Sequence, residues 1–386
     1  MSFIATQRTT SPSNKWDPQL QVVDTKIYYV WAEYYVDNSV QIWTAVMSID
    51  GTGFTATQRT TSISNKGNPQ LQVIDNKIYY VWSEYIGGYS QIFTAVMNID
   101  GTGFTATQRT TSGYHKYNPQ LQVVDAKIYY VYREYIYDFN QICTAVMDID
   151  GTGFTATQRT TNSYSHEDPQ LCVAGEKIYY VWEEWFDDST QICTAMMNID
   201  STGFTATQLP PGPYRRLDPQ LQVADGKIYY VWVEAYAYIW TAVMNTDGTG
   251  FTATQRTTDS YSRKEAKLQV VDSNIYYVWL EEWDIWTAVM NIDGTGFTAT
   301  NQTPSDLQSK ERVQQHVVGP TIYYVWQEYT NGYYQIFTAE LASEATPINI
   351  KYWTGTEWKF ATALKRWNGT VWEDVTLKYW TGAEWK

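Results

Sequence analysis

The chain has 386 residues, of which 44% are hydrophobic, 18% charged and 16% aromatic, a globular rather than a disordered composition. The 27 Lys and Arg against 41 Asp and Glu leave a formal charge of −14, which argues against a nucleic-acid backbone as the partner. Three Cys argue against a disulfide framework, and the absence of an apolar run of 18 residues argues against a membrane-spanning helix.

A repeat of about 50 residues occupies most of the sequence. Three independent markers each occur seven times. The segment Phe-x-Ala-Thr begins at Phe3, Phe54, Phe104, Phe154, Phe204, Phe251 and Phe297. The triplet Ile-Tyr-Tyr begins at Ile27, Ile78, Ile128, Ile178, Ile228, Ile275 and Ile322. A Thr-Ala preceded by Ile two positions before the Thr occurs at Thr44, Thr94, Thr144, Thr194, Thr241, Thr287 and Thr338. Seven copies of one structural unit are therefore predicted.

Each unit is predicted to form four short antiparallel strands. In the first complete unit these are residues 18–23, 26–33, 41–48 and 54–61, which are rich in β-branched and aromatic residues or alternate in polarity. Asp24-Thr25 and Asp50-Gly51-Thr52-Gly53 supply turn residues between them. No segment shows a 3.6-residue period over a helical length. Four strands in about 50 residues are typical of a propeller blade.

The two ends of the repeat region complement each other. The chain begins with a lone fourth strand, Phe3 to Thr10, and the seventh unit ends after its third strand, Gln335 to Ala342. Ring closure would pair these segments and remove two exposed sheet edges. A solenoid of stacked sheets is the alternative, but it would need atypical capping units. The predicted fold is all-β: a seven-bladed β-propeller over residues 1–346.

A different, Trp-rich pattern follows Pro347. Residues 351–359, 365–373 and 378–386 each read as a strand, a Thr-Gly or Asn-Gly turn and a second strand. One such hairpin is marginal alone, so three are predicted to form a small sheet or to pack across subunits. Residues 347–386 are therefore predicted to be a second module for anchoring or oligomerisation.

Several repeat motifs resemble those of known propellers. Asn98-Ile-Asp-Gly-Thr-Gly103 followed by Thr107-Gln-Arg-Thr110 resembles the repeat of TolB-like propellers. An Asp or Asn before Pro-x-Leu, followed by Ile-Tyr-Tyr-Val-Trp-x-Glu, resembles sialidase-like and lectin propellers. The Asp-Gly-Thr-Gly turn is similar to an Asp-box but differs in the spacing after the Asp. This resemblance implies the fold, whereas propellers host many functions. The Trp-rich hairpins are similar to modules of phage tail and virion-associated proteins.

The loops divide into an almost constant face and a variable face. The variable face consists of the second-to-third-strand loops and the links between blades, and it differs in every unit. Tyr, Trp and Asp recur there, whereas unconstrained drift usually yields Ser, Gly and Asn. Amphipathic rings beside hydrogen-bonding groups suit recognition of sugars or proteins. The candidate ligand-binding residues are Trp16, Tyr34, Tyr35, Tyr85, Tyr89, Tyr114, Tyr137, Tyr164, Trp185, Asp187, Tyr214, Tyr236, Tyr238, Trp283, Tyr329 and Tyr333.

The fifth and sixth units have the shortest second-to-third-strand loops. The rim of the variable face is therefore predicted to be lower there, and a groove could open on that side. Glutamines of the first strands are expected to approach the central channel: Gln19, Gln70, Gln120, Gln170, Gln220 and Gln314, with Lys267 in the sixth unit.

No catalytic or metal site is predicted. A Glu ends the second strand in all seven units: Glu33, Glu84, Glu134, Glu184, Glu234, Glu281 and Glu328. A catalytic pair should differ from its repeat equivalents, so these are interpreted as structural hydrogen-bond acceptors. His115 and His166 are interpreted as surface residues of the links, and Cys143 and Cys193 as packing residues. The Asp-Gly-Thr-Gly turns lack the spaced carboxylates of calcium loops. No cofactor is expected.

The first hypothesis is a non-enzymatic recognition protein whose variable face binds glycans or a cell-surface receptor, as an adhesin associated with a virion or tail fibre. Repetition favours multivalent binding. The alternatives are a structural scaffold of a virion or filament making protein–protein contacts, and a glycoside hydrolase, which one irregular acidic cluster at the channel mouth would favour. Expected partners are a glycan or receptor, and another copy or a particle through residues 347–386, with no nucleic acid and no membrane insertion. The N-terminus lacks signal-peptide features, which fits release in a particle or by lysis, and equally a cytoplasmic protein.

Overall fold

Seven four-stranded antiparallel sheets form the repeat region, as the sequence predicts. The computed structural model describes residues 3–35, 39–186, 189–304 and 308–342, and the backbone of short strands within 351–374. The protein is an all-β, seven-bladed propeller. Nowhere in these described ranges is there a helix of the length and apolar character that a bilayer crossing requires.

The blades follow one another in chain order, each running from its innermost to its outermost strand. Blade one has β2 (Lys15–Val23), β3 (Lys26–Tyr34), β4 (Val40–Ser48) and β5 (Thr55–Gln58), and blade two has β6 (Lys66–Ile74), β7 (Lys77–Ile86), β8 (Tyr89–Asn98) and β9 (Thr105–Gln108). Blade three has β10 (His115–Val124), β11 (Lys127–Ile136), β12 (Phe139–Asp148) and β13 (Thr155–Gln158), and blade four has β14 (Ser165–Ala174), β15 (Lys177–Phe186), β16 (Ser189–Asn198) and β17 (Thr205–Gln208). Blade five has β18 (Arg216–Ala224), β19 (Lys227–Glu234), β20 (Tyr238–Asn245) and β21 (Thr252–Gln255), and blade six has β22 (Arg263–Val271), β23 (Asn274–Glu281), β24 (Asp284–Asn291) and β25 (Thr298–Asn301). Blade seven has β26 (Lys310–Val318), β27 (Thr321–Thr330), β28 (Tyr333–Ala342) and, from the N-terminus, β1 (Thr6–Gln7).

The N-terminal strand closes the ring, as predicted. Strand β1 pairs antiparallel with β28, with Thr6 opposite Thr338 and Gln7 opposite Phe337. Strand β1 is shorter than the predicted strand of residues 3–10. Phe3 instead turns inward onto the ring of Trp326, at 5.8 Å between centroids, and Thr9 leaves the ladder to bond Gln335. The outermost strands of the other blades are also shorter than predicted, at four residues each.

The second strand of each blade is buried on both faces, as its continuous apolar run predicts. Tyr28 and Val30 of β3 pack against Tyr80 of the next blade. Tyr29 and Trp31 face the other way, against the second strand of blade seven. Seven such clusters, one at each blade interface, form the core of the ring.

Each innermost strand contains a β-bulge that was not predicted from the sequence. Strand β2 begins at Lys15 rather than at the predicted residue 18, and its register shifts between Trp16 and Gln19. The extra residue, Asp17, has a left-handed backbone with φ of 53°. Its equivalents are Asn68, Asn118, Asp168, Asp218, Glu265 and Arg312, all with positive φ. Asp and Asn tolerate this conformation best among residues with a side chain, which explains the Asp/Asn-Pro motif. All seven bulge side chains line the central channel.

Hydrogen bonds across the channel wall join consecutive blades. The amide nitrogen of Val73 in blade two donates to Gln21 Oε1 in blade one at 2.6 Å. Equivalent Gln side chains accept from Val123, Val173, Val270 and Val317 of the next blade. Where the ring closes, His316 Nδ1 replaces the Gln oxygen and accepts from the Val22 amide at 3.2 Å.

The C-terminal part forms a separate unit, Ala342–Lys386. Two of the three predicted hairpins have described strands: β29 (Lys351–Trp353) pairs with β30 (Trp358–Phe360), and β31 (Lys365–Trp367) with β32 (Trp372–Asp374). In both, two Trp residues stand opposite each other next to the turn. The third hairpin, 378–386, and the boundary predicted at 346/347 lie outside the described residues.

Candidate functional site: the variable face and the central channel

Exposed aromatic side chains are concentrated on the variable face. Among the described residues, every large aromatic side chain classed as exposed lies in a link, a second-to-third-strand loop or an adjoining strand end. The most exposed is Tyr137, at 79%. The exposed candidates are Tyr34, Tyr35, Tyr85, Tyr89, Tyr137, Trp185, Tyr214, Tyr236, Trp283, Tyr329 and Tyr333. The structure therefore places an amphipathic aromatic rim around one face of the ring.

The rim consists of small local clusters rather than one continuous site. Tyr114 meets Tyr137 edge to face at 5.7 Å, and Arg215 lies 5.0 Å from the ring centre of Trp185. Half-buried Trp16 contacts Tyr34 and lies 4.7 Å from the ring of Tyr334. Half-buried Tyr164 packs on Phe186 at 4.6 Å. Asp187 lies outside the described residues.

A groove of about 450 Å³ opens in blade five, where the short loops predict a lower rim. The candidates Tyr214 and Tyr238 line it together with Trp240. Its polar lining includes Arg216, Glu234 and Gln255. The indole nitrogen of Trp240 is buried without a hydrogen-bond partner in the described part of the chain. This combination of aromatic and polar lining residues matches the composition of small-ligand sites.

Two local features of blade five create the groove. Strands β19 and β20 have eight residues each, whereas β7 and β8 of blade two have ten, so the hairpin ends about 7 Å lower. The incoming link, Leu-Pro-Pro-Gly-Pro-Tyr, replaces the Ser-x-Ser link of blade one. Gly212 lies directly beside the Arg216 guanidinium, so a Cβ atom at this position would lie 2.6 Å from it and would require the Arg216 side chain to shift.

The repeated Glu at the end of the second strand is structural, as predicted. Glu33 Oε1 accepts hydrogen bonds from Ser11 and Ser13, and Oε2 accepts from the Trp31 indole. The innermost strand supplies a buried cation to the same carboxylate: Lys15 Nζ lies 3.6 Å from Glu33. Arg216 and Arg263 take the place of Lys15 in blades five and six.

Two histidine interpretations are wrong. His166 is fully buried within β14, where it bonds Glu184 at 3.2 Å and occupies the position of Lys15 in blade four. This contact is the largest cause that lowers the pKa of Glu184 to about 2. His115 is half-buried, accepts the Ser90 amide and stacks on Tyr117 at 5.7 Å. Both residues belong to the first strand rather than to a surface link, because the bulge lengthens that strand. Cys143 and Cys193 are buried in blade interfaces, as predicted.

The central channel contains a cavity of about 110 Å³ that is strongly polar and asymmetric. The predicted glutamines and Lys267 line it, together with the seven bulge residues. The bulge residues of blades two and three are neutral Asn, whereas blades one, four, five and six contribute carboxylates and blade seven contributes Arg312. Arg312 Nε lies 3.1 Å from Asp17.

One acidic cluster breaks the repeat, and it was not predicted from the sequence. Oxygen atoms of Asp168, Glu183 and Asp218 all lie within 4.8 Å of one another. Burial, followed by the charges of Asp168 and Asp218, raises the pKa of Glu183 well above its usual range. Burial and the charge of Asp218 also raise the pKa of Asp168. The sequence did contain a signal for this cluster, at the position directly before the repeated Glu. Only blade four has a carboxylate there, Glu183. The other blades have Ala32, Ser83, Arg133, Val233, Leu280 and Gln327.

Comparison with known proteins supports the fold at low sequence identity. No protein-family model and no curated protein matches the sequence. Among solved structures, the chain is similar to a phage phi92 endosialidase (10% identity, TM-score 0.55, covering 98% of this chain and 75% of that one). It is similar to a polysaccharide lyase, an ulvan lyase bound to GlcA(1-4)Rha3S (11%, 0.64, 84% and 93%). It is also similar to the β-propeller domain of the Trilobed protease from Pyrococcus furiosus (10%, 0.53, 85% and 95%). These similarities define the class, a seven-bladed propeller, whose members serve different activities.

Proposed function

We propose that this protein recognises glycans without cleaving them, through the variable face and principally through the groove of blade five. The groove is the observation that supports this most directly. Tyr214, Tyr238 and Trp240 contribute aromatic side chains to its lining, while Gln255 and the Arg216–Glu234 pair contribute polar groups. Pyranose rings present both apolar faces and hydroxyl groups, so this combination matches them better than it matches a purely apolar ligand.

Two of the similar structures act on glycans according to their names, an endosialidase and a polysaccharide lyase. At about 10% identity these names suggest a class of ligand, but they assign no residue of this chain to it. The adhesin of a virion or tail, with residues 347–386 as its attachment module, is the biological setting that we propose for such a propeller. A cell-surface glycoconjugate is the corresponding receptor.

The test is a glycan-array screen of the full-length protein, followed by titration of any glycan that binds. Tyr214→Ala removes an exposed ring from the groove and should weaken binding by about tenfold or more, which is about 1.4 kcal/mol. Tyr89→Ala removes a comparably exposed ring from blade two and serves as the matched control. Equal losses in both variants would contradict the groove as the principal site. A blank array together with self-association would favour the structural scaffold instead.

A glycoside hydrolase is the second candidate, because the irregular acidic cluster of Asp168, Glu183 and Asp218 is present. The channel cavity beside it measures about 110 Å³, below the roughly 300–1,000 Å³ of ordinary small-ligand pockets. We therefore rank cleavage below recognition. Incubating a bound glycan with the protein and assaying new reducing ends separates the two, since recognition alone leaves the glycan intact.

A further inference from the structure

The groove of blade five carries no net charge, although an Arg and a Glu line it. Among the described residues of its lining, Arg216 and Glu234 are the charged members, and the others are aromatic, apolar, or carry an amide or hydroxyl group. Arg216 Nε lies 3.0 Å from Glu234 Oε2, and the two side chains are only 8% and 4% exposed. The two charges of the groove therefore compensate each other.

The hydrogen-bonding groups of Arg216 are directed to the protein itself. Besides the bond from Nε to Glu234, Nη1 donates to the Pro210 carbonyl of the incoming link at 2.6 Å. The guanidinium carbon lies 5.3 Å from the ring centre of Trp232. Recognition of a ligand carboxylate by Arg depends on a fork of N–H groups that the ligand can reach. In Arg216 two of the three nitrogens already donate within the protein.

The repeat explains why a cation is present in this groove. Lys15, Lys66, Lys116 and Arg263 make the same ion pair with the repeated Glu of their own blades. The pair of Arg216 and Glu234 is the blade-five copy of this contact. An ion pair that recurs in five blades belongs to their shared structure, so it does not indicate a charged ligand in one of them.

The charged residues next to the groove are engaged as well. Arg215 precedes the lining residue Arg216 in the chain, but its guanidinium lies against Trp185 of blade four, 5.0 Å from the ring centre. Asp259 follows the lining residue Thr258, and its carboxylate pairs with Arg263. Neither residue adds an uncompensated charge to the groove.

The charge of the whole chain disfavours an acidic ligand. The formal charge is −14, so an anionic glycan approaches against a repulsive field. In the groove, its carboxylate would also lose water without gaining a cation of its own, which is unfavourable. An uncharged sugar avoids both costs.

We propose that the groove of blade five selects uncharged hexopyranose residues and rejects acidic sugars such as sialic and uronic acids. This inference rests on the proposed function, because it names the class of glycan that the same groove takes. The aromatic side chains of Tyr214, Tyr238 and Trp240 contact the C–H groups of the sugar, and Gln255 and Thr258 bond its hydroxyl groups.

The experiment screens the full-length protein against matched pairs of glycans. Each pair consists of an oligosaccharide that ends in galactose or glucose and its counterpart that ends in sialic acid or glucuronic acid. We expect the neutral member to bind about tenfold or more tightly than the acidic one. Its Kd should change by less than about twofold between low and high sodium chloride, because an uncharged ligand has no Coulomb attraction to screen.

The failure of this inference is distinguishable from the failure of the proposed function. Tighter binding of the acidic members, with a steep loss at high salt, would overturn the preference for uncharged sugars and leave glycan recognition standing. Binding of neither member would contradict glycan recognition itself, and this inference with it.

Two Gln variants provide a matched pair. Gln255 and Gln158 are exposed at the same position of their blades, and each donates to the carbonyl of the Thr two residues later, at 2.7 and 2.8 Å. Only Gln255 lines the groove. Gln255→Lys should strengthen binding of the acidic members by about fivefold or more at low salt, whereas Gln158→Lys should change it by less than about twofold. Equal gains in both variants would overturn the assignment of charge selection to this groove.

Discussion

The most informative residues of this protein are those that depart from their equivalents in the other blades. Glu183 differs from Gln327 by one atom exchanged for another, yet it turns a structural hydrogen bond into part of an acidic cluster. His166, by contrast, changes the residue type but keeps the structural role. It makes the same buried contact to the repeated Glu that Lys15 makes in blade one. Repetition within one chain thus supplies an internal reference for separating structural roles from specialised ones.

His316 is a third departure and makes the ring closure sensitive to acid. Its Nδ1 accepts the Val22 amide, so that nitrogen must be unprotonated in the folded protein. Burial lowers the pKa of His316 from 6.5 to about 4. Since the unfolded chain binds the proton more readily, the contribution of His316 to stability is fully present above pH 6.5 and is lost as the pH falls towards 4.

Replacing His316 with Gln should remove this acid sensitivity. Gln occupies the equivalent position in most other blades and accepts the same kind of backbone hydrogen bond. We expect His316→Gln to match the wild type near pH 8 and to exceed its free energy of unfolding by no more than about 3 kcal/mol near pH 4. Denaturant unfolding at several pH values measures the difference, and the carboxylates shared by both proteins cancel. Parallel pH profiles would show that His316 does not titrate as described.

At the scale of elements, the shortest strand has the largest topological role. Strand β1 has two residues, but among the described strands it alone pairs the N-terminal end of the propeller with the last blade. Its neighbour Arg8 extends the connection, since Nε donates to Thr338 Oγ1 at 2.8 Å and Nη1 donates to the Gly51 carbonyl of blade one at 3.2 Å. Arg59 and Arg109 make equivalent bonds between later blades.

Deleting residues 1–10 should therefore open the ring without removing any complete blade. The deletion leaves the edge of β28 unpaired and breaks the Arg8 contacts, so we expect a lower Tm and association through the exposed edge. Thermal unfolding and analytical ultracentrifugation report both effects. A synthetic peptide of residues 1–12, added in trans, should restore the Tm. A truncated chain that stays monomeric with an unchanged Tm would contradict the closing role of β1.

At the scale of the whole molecule, the propeller has its own core and its own closure. The seven interface clusters lie within residues 3–341, and the chain separates into units at Leu341 and Ala342. The paired Trp strands of the C-terminal unit form ladders of three residues each. Such short ladders are marginal alone. A role of this unit in self-association or attachment stays a prediction.

Removal of residues 347–386 should leave the propeller folded and change its association. We expect the truncated chain to keep the far-ultraviolet spectrum and Tm of the propeller, because no blade strand is lost. The oligomeric state, measured by light scattering, should differ from that of the full chain. Unfolding of the truncated chain would show instead that the hairpins belong to the core.

The sequence by itself determined the number of blades, the strands of each blade and the closure by the N-terminus. These follow from local and periodic information: the repeat length, turn residues such as Asp50-Gly51, and the doubly apolar run of residues 27–31. The low rim at blade five also follows from loop length alone. The structural role of the repeated Glu could be inferred because a residue that is identical in every unit is expected to stabilise the structure that all the blades share.

Only the tertiary structure decided which residues meet across blades. Asp168 and Asp218 are 50 positions apart, and the bulge aims both into one channel, where Glu183 joins them from another strand. Likewise, the link residue Tyr214 lines one groove with Tyr238 and Trp240, which lie in the strand after the short hairpin between β19 and β20. Long-range proximity of this kind depends on ring curvature and on a backbone bulge, neither of which has a periodic signature in the sequence.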